Sequence, residues 1–366
     1  MNVITGEPTC DGSIVIKRLI PGINGHGRLL VSALIFLACT GAGYLAIARL
    51  LGAGFVRFDS RLLSPAVLGS VAVLLLVYYV ADGLRLYYAL RTMGSHVPFR
   101  AMMRLVFINL FFSNITPMAT GGGVAQIYFM RRHGVPVGIA TAATTARTVF
   151  AALMIFGGSL VFIAARPRLE QAGVLNGSWG YIGGFVGIYL AGFIALILRP
   201  NWFLRPVLTL LAGISQTRMM QRQRAQRWMR SLSREMRRFS LAFTDFLNGH
   251  PRDIALTLVF TVVFLLCLFS FSIVLLWGLG YDVPMTTILG LQLVTTLVMY
   301  FSPTPGASGI AEGLYGQLFS GLITANHIVL VTLAWRFLTV HLGMVIGIFF
   351  VNREFLRAST TYAEDQ

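Results

Sequence analysis

The sequence predicts an all-α polytopic membrane protein, with six transmembrane helices plus two re-entrant broken-helix hairpins in an inverted repeat. Three observations carry this expectation. Of the 366 residues, 56% are apolar and only 11% are charged, whereas a soluble domain has about a quarter of its residues charged. The apolar residues gather in runs close to the ~20 residues that cross a hydrocarbon core as a helix. Two further runs are interrupted in the middle by proline and glycine, at corresponding places in the two halves of the chain.

Taken in order, a tail over residues 1–28 precedes a first span at 29–51. That run is of full crossing length, so it reads as a span and not as a cleavable leader. Further spans are expected at 65–81 (extendable to 90), 138–164, 181–198, 254–278 and 328–351, followed by a tail over 352–366. The whole of 29–351 reads as a single transmembrane domain. The interrupted runs occupy 105–130 and 286–322. The first contains Asn114-Ile115-Thr116-Pro117-Met118-Ala119-Thr120-Gly121-Gly122-Gly123, and the second Ser302-Pro303-Thr304-Pro305-Gly306-Ala307-Ser308-Gly309. Proline removes a helix hydrogen bond and glycine leaves the backbone free to depart from helical angles. Each run is therefore expected as two half-helices around a break, buried in protein or lining a wet cavity.

Charge decides whether the broken segments cross. If both are hairpins that enter and return, and the N-terminus is cytoplasmic, 22 basic residues lie inside and five outside. If both cross, the arginine-rich loop 199–252 moves outside and the distribution becomes 11 against 16. The positive-inside rule selects the hairpins, with both termini cytoplasmic and the two hairpins entering from opposite faces.

The breaks share the pattern T-P-x-x-[ST]-G, at Thr116–Gly121 and Thr304–Gly309, and each is followed by a span with an arginine inside its apolar run, Arg147 and Arg336. Thr116 and Thr304 stand 188 residues apart, and Arg147 and Arg336 stand 189 apart. Inverted repeats of this kind place a binding site near the midplane at discontinuous helices. The candidate lipid-binding and translocation residues are thus Thr116, Pro117, Gly121, Gly122 and Arg147 from the first repeat. The second contributes Thr304, Pro305, Gly306, Gly309, Glu312 and Arg336. An arginine at membrane depth is costly and marks a site or a pair. Arg336 is expected to pair with Glu312, either as a structural pin or in lipid or ion coupling. Asp82 is expected to pair with Arg85, three residues on. Arg147 has no acidic neighbour in sequence, and beside half-helix N-termini it points to a phosphate-bearing ligand or to capping of the broken helix's carbonyls. In loop 199–252, Trp228, Leu232, Met236, Phe239 and Phe243 recur at helical spacing among arginines, which reads as a helix lying on an anionic leaflet.

Several classes are set aside. The net charge of +16 is interleaved with apolar runs, which points to a membrane and not to nucleic acid. Cys10, Cys39 and Cys267 are far apart, and the six histidines form no metal-binding pattern, so no metal and no cofactor are expected. Gly121-Gly122-Gly123 lacks the lysine and strand of a phosphate loop. The one acid–base set, Glu312 with His327 or His341, is a poor basis for catalysis, and no enzymatic activity is expected.

The runs at 111–132, T-P-x-x-T-G-G ending in R-R-H-G, and at 303–312, P-T-P-G-x-S-G-x-x-E, followed by Trp335-Arg336, resemble the lysylphosphatidylglycerol synthase transmembrane family, often called flippase-like proteins. The resemblance covers 29–351. It implies a membrane domain that moves lipid between leaflets, here in a stand-alone form without the soluble synthase domain, in a bacterial cytoplasmic membrane. Many relatives carry acidic residues just after the first hairpin's glycines and just before the arginine matching Arg147; here those places hold Gly123-Val124 and Ala146. The cargo expected is accordingly an anionic phospholipid or prenyl-phosphate lipid and not a cationic aminoacyl lipid. The alternative is a non-transporting partner that anchors or presents lipid to a separate lipid-synthesising enzyme.

Overall fold

A computed structural model describes residues 57–116, 119–165 and 223–364, together with isolated helical positions between 34 and 41 and between 184 and 192. The spans expected at 29–51 and 181–198 thus lie largely outside the described residues. The described chain is helical throughout, without strands. A 3-10 turn, Ser60–Leu63, leads into α1 (Pro65–Thr92), α2 (Phe99–Ile115), α3 (Thr120–Arg132) and α4 (Val137–Ala165). Beyond these come α5 (Gln223–Leu247), α6 (Pro251–Gly278), α7 (Met285–Met299) and α8 (Ile310–Phe319). Last are α9 (Ala325–Arg336), a π turn at Phe337–His341, and α10 (Leu342–Glu364). Among the described residues, four helical stretches are long and apolar enough to cross a membrane: Pro65–Thr92, Val137–Ala164, Pro251–Gly278 and Ala325–Arg353. Their outward residues, such as Leu76, Leu266 and Phe349, are as apolar as their inward ones. Such a surface belongs in lipid, and the chain is a multi-pass membrane protein.

α1 and α6 form the central antiparallel pair. Arg91 meets Asp253 at 3.3 Å where α1 ends and α6 begins, and Gly278 takes the side chain of Val67 where α6 ends and α1 begins. These contacts define two ends of the bundle. α2 begins just after α1 stops at the first end, and α3 runs back antiparallel to it, with Gly122 against Asn109 and Gln126 donating to the Leu105 carbonyl, so the loops entering α2 and leaving α3 lie together. At the opposite end, the Tyr281 hydroxyl accepts from the Thr324 amide at 3.2 Å and meets His327 at 2.7 Å, joining the loop before α7 to the loop after α8. Both broken segments are therefore helical hairpins, and their mouths point to opposite ends.

Each hairpin's entering half packs on the helix that follows the other hairpin: α2 on α10, and α7 on α4. Small residues permit the approach. Gly347 lies against the backbone of Phe107, and Gly290 receives the ring of Phe162; any side chain there would collide with its neighbour.

α5 corrects one expectation. The apolar stripe that reads as a membrane-surface face is, over its described part, buried in the protein: Phe243 and Phe246 are almost fully buried in the core of the first end, and Phe239 packs against them. The cause is local. Glu235 accepts from the Gly138 amide at 2.7 Å, and Gly138 has no side chain to hold α5 away from α4. The polar face, with Arg234, Arg237 and Arg238, stays exposed.

Candidate functional site

The second break is built from sequence-local rules. After α7, Thr304 donates its hydroxyl to the Ser308 carbonyl at 2.9 Å and meets the Ser302 hydroxyl at 2.8 Å. Gly306, Ala307 and Gly309 all have positive φ, at 57°, 55° and 86°. Glycine adopts that region freely, whereas for alanine it costs ~1 kcal/mol or more, so surrounding contacts hold Ala307 there. Glu312, in the first turn of α8, accepts from the Gly309 amide at 2.5 Å. Its carboxylate thereby occupies the positive end of that half-helix.

Arg336 locks this break. Its side chain is wholly buried, and its Nε–H donates to Glu312 Oε1 at 2.8 Å. One Nη2–H donates to the Gly306 carbonyl at 2.7 Å and approaches the Ser308 hydroxyl at 3.4 Å. The expected Arg336–Glu312 pair thus exists, and it also satisfies a carbonyl that the break frees, as irregular backbone away from water requires. The π turn begins immediately after Arg336, and His341 Nδ1 lies 3.1 Å from the Arg336 carbonyl. The second Glu312 oxygen is the one that accepts from the Gly309 amide, so both carboxylate oxygens are engaged within the break.

The first break repeats the design without the charge. Thr116 donates to the Phe112 carbonyl at 2.7 Å and accepts from the Gly121 amide at 2.9 Å. Ala119 has φ 53°, and it stands 188 residues before Ala307, the same separation as the two threonines. Gly122 abuts Asn109 and Ser113 of α2 so closely that even a methyl group would overlap them. Gln126 donates to the Leu105 carbonyl at 3.2 Å and zips the two halves together. The candidate Pro117 lies outside the described residues. α3 carries no acid in its first turn, so the repeats differ in electrostatics although their backbones correspond.

Arg147 corrects a second expectation. It does have an acidic partner, supplied by a different helix 65 positions earlier: its Nη1–H donates to Asp82 Oδ1 at 3.3 Å. The same oxygen receives Arg85, from Nε at 2.7 Å and from Nη2 at 2.5 Å. Two arginines thus share one carboxylate, with all three side chains no more than 7% exposed. Phe264 of α6 lies under the Arg85 guanidinium, 3.7 Å from ring centroid to Cζ, and stacks on Tyr78 at 4.8 Å. Arg85 is therefore an interior residue and leaves the tally of basic loop residues on its side.

The arrangement brings Thr304, Gly306, Gly309, Glu312 and Arg336 into one cluster and Thr116, Gly121 and Gly122 into another. Arg147 belongs to a third, with Asp82 and Arg85. Arg147 and Arg336 do not share partners. In the sequence Asp82 and Arg85 read only as a local pair; the usable signal for the larger cluster is the excess of arginines over acids within apolar runs.

Comparison with known proteins supports a membrane protein. Residues 27–347 match the family model described as the lysylphosphatidylglycerol synthase TM region. Over 297 residues the chain is 26% identical to a UPF0104 membrane protein of Archaeoglobus fulgidus, covering 79% of this chain and 87% of that relative. Since the family model spans nearly all of the helical core, from before the first described helix into the start of α10, the chain belongs to the lysylphosphatidylglycerol synthase transmembrane-region family.

Proposed function

We propose that this protein is a lipid transporter that moves a polar-headed, phosphate-bearing lipid between leaflets. The carrying observation is the pair of broken hairpins with opposite mouths, each followed by a helix that bears a buried arginine. On this reading both hairpins are re-entrant, six helices span, and the two halves form an inverted-topology repeat with alternating access. Basic residues at the first end, among them Arg100, Arg131, Arg234 and Arg353, against Arg57 and Arg61 at the other, support a cytoplasmic first end. Both termini then lie on the cytoplasmic side of a bacterial cytoplasmic membrane. The headgroup would pass along the hairpins while the acyl chains stay in the bilayer, with Arg147 as its main contact. Arg336 and Glu312 hold the second break in shape for that passage. The protein performs no covalent chemistry and takes no nucleic acid, metal or cofactor; an anionic phospholipid or prenyl-phosphate lipid is its cargo, and a lipid-synthesising enzyme is the partner that would supply it.

The test is leaflet exchange in reconstituted vesicles, followed by accessibility of fluorescent phosphatidylglycerol or a prenyl-phosphate lipid to a membrane-impermeant quencher. Wild type should speed exchange over protein-free vesicles, and Arg147→Ala should slow it while the unfolding temperature is preserved. Equal exchange with and without protein for every anionic lipid would favour a role in anchoring or presenting lipid instead.

A further inference from the structure

We infer that Asp82, Arg85 and Arg147 form a site for one negative charge, matched to a phosphodiester monoanion. The inference rests on the transport reading for its biological setting and on the geometry of α1, α4 and α6 for its chemistry. Two guanidinium groups flank a single carboxylate, so the cluster carries one uncompensated positive charge in a low-dielectric interior. Arg85 Nη1 and Arg147 Nε are both buried and without a hydrogen-bond partner among the described residues. A buried charge of this kind is strongly unfavourable unless something pairs with it.

Among the described residues no other acidic side chain is available to do so. Glu312 is engaged by Arg336 and Gly309, Asp253 by Arg91, Glu235 by Arg238, and Asp59 by Arg61. Asp245 and Asp282 lie at the ends of the bundle, and the remaining acids of the chain, Glu7, Asp11, Glu170, Glu354, Glu364 and Asp365, lie outside the apolar runs. With every described acid of the apolar runs engaged, the compensating charge is assigned to a bound ligand. The second repeat differs in charge: Arg336 also buries an Nη1 without a partner among the described residues, but Arg336 and Glu312 balance one to one, and Glu312 already covers the α8 N-terminus. Only the first half takes an anion.

The charge also sets the class. One phosphodiester neutralises the cluster, and its two free oxygens suit two separate N–H donors. A phosphomonoester, dianionic above its second ionisation near pH ~6, would leave an excess negative charge, and a cationic headgroup would add to the positive one. Asp82 is then a positioning residue that sets the site's net charge. Both free donors are shielded from solvent, so the anion enters in a more open arrangement than this one, and Asp82 keeps the arginines in place between ligands.

The experiment uses the purified full chain in detergent, above the second phosphate ionisation, and reads the unfolding temperature against added short-chain lipid. A ligand that binds the folded state alone raises it in proportion to the logarithm of its concentration over Kd. Dioctanoyl phosphatidylglycerol should stabilise wild type with a Kd about tenfold or more below that of dioctanoyl phosphatidic acid, and dioctanoylglycerol should have no effect. Arg85→Gln, which neutralises the cluster, should abolish the preference. Asp82→Asn, which leaves two positive charges, should move it toward phosphatidic acid. A purely structural cluster would not reverse selectivity. Equal stabilisation of wild type by all three lipids overturns the inference even if neither variant folds, as does an unchanged preference in a folded Arg85→Gln or Asp82→Asn. Stabilisation by dimethyl phosphate with phosphatidylglycerol silent overturns the lipid source. Since no leaflet exchange is measured, selective binding without exchange would sink the transport reading alone, and exchange without selectivity would sink this one alone.

Discussion

At the scale of single residues, the two repeat-related arginines have different fates on mutation. Arg336→Ala removes the cation paired with Glu312 in a site with no exposure, and it also frees the Gly306 carbonyl. The expected loss is ~3–5 kcal/mol, the usual consequence of orphaning one member of a buried pair. Arg336→Ala/Glu312→Ala should recover part of it. Arg147→Ala leaves Asp82 fully paired with Arg85 at 2.7 Å, so its cost should be clearly smaller. Thermal unfolding of the four proteins in one detergent ranks them, and a double mutant no more stable than Arg336→Ala would sever the link between the pair and the fold. At the opposite end of the bundle, Arg61 donates to Asp59 through its side chain and its amide. These bonds hold the Asp59 carboxyl down to about 2 from its ordinary 3.8. A depressed carboxylate contributes its stabilisation above the unfolded-state value and loses it as pH falls through the folded one. The clasp of residues 57–61 on His327 and Asn326 should therefore loosen between pH 3.8 and about 2. Hydrogen exchange of the 57–61 amides should rise over that window in wild type and be raised at higher pH already in Asp59→Asn.

At the scale of elements, the breaks show what a threonine–proline–glycine pattern specifies and what it leaves to packing. The hydroxyls of Thr116 and Thr304 take up carbonyls freed at the break, a role legible from residue type and position. The left-handed conformation of Ala119 and Ala307 is not legible, because alanine resists that region and only the closed hairpin imposes it. Neighbouring glycines in α3 separate the two causes experimentally. Gly122 touches Asn109 and Ser113, whereas Gly123 faces open space. Gly122→Ala should destabilise by ~1–3 kcal/mol through overpacking, and Gly123→Ala should stabilise by ~0.5–1 kcal/mol through helix propensity. Unfolding temperatures shifted in the same direction for both would contradict the close α2–α3 approach. α5 teaches a related lesson. Its periodicity identified an amphipathic helix correctly, but a periodic apolar stripe is the same whether lipid or protein covers it. At Phe239 and Phe243, the contact between Glu235, within the stripe, and Gly138, remote from it in sequence, decided for protein.

At the scale of the whole molecule, the opposite mouths of the hairpins lead to a topology prediction. In membrane vesicles, a cysteine at Arg131 should react with impermeant maleimide from the cytoplasmic side and one at Ala325 from the outer side, each in a background lacking the native cysteines. Labelling of both from one face would rule out hairpins that enter from opposite faces. Length and hydropathy sufficed to establish a membrane protein with interrupted segments, because spanning helices obey the bilayer's thickness, which is a one-dimensional property. The repeat and the Arg336–Glu312 pair were also legible, since proline, glycine and intramembrane charge are too costly to occur idly. The partner of Arg147 was not. Asp82 lies 65 positions earlier on another helix, and within the apolar runs nothing in local spacing ranks one distant acid above another. Tertiary packing alone decided that two arginines meet one aspartate while the related arginine meets a glutamate and a carbonyl. The reason is that electrostatic pairing in a low-dielectric interior depends on distances of a few ångströms, set by which helix faces come together and not by order along the chain.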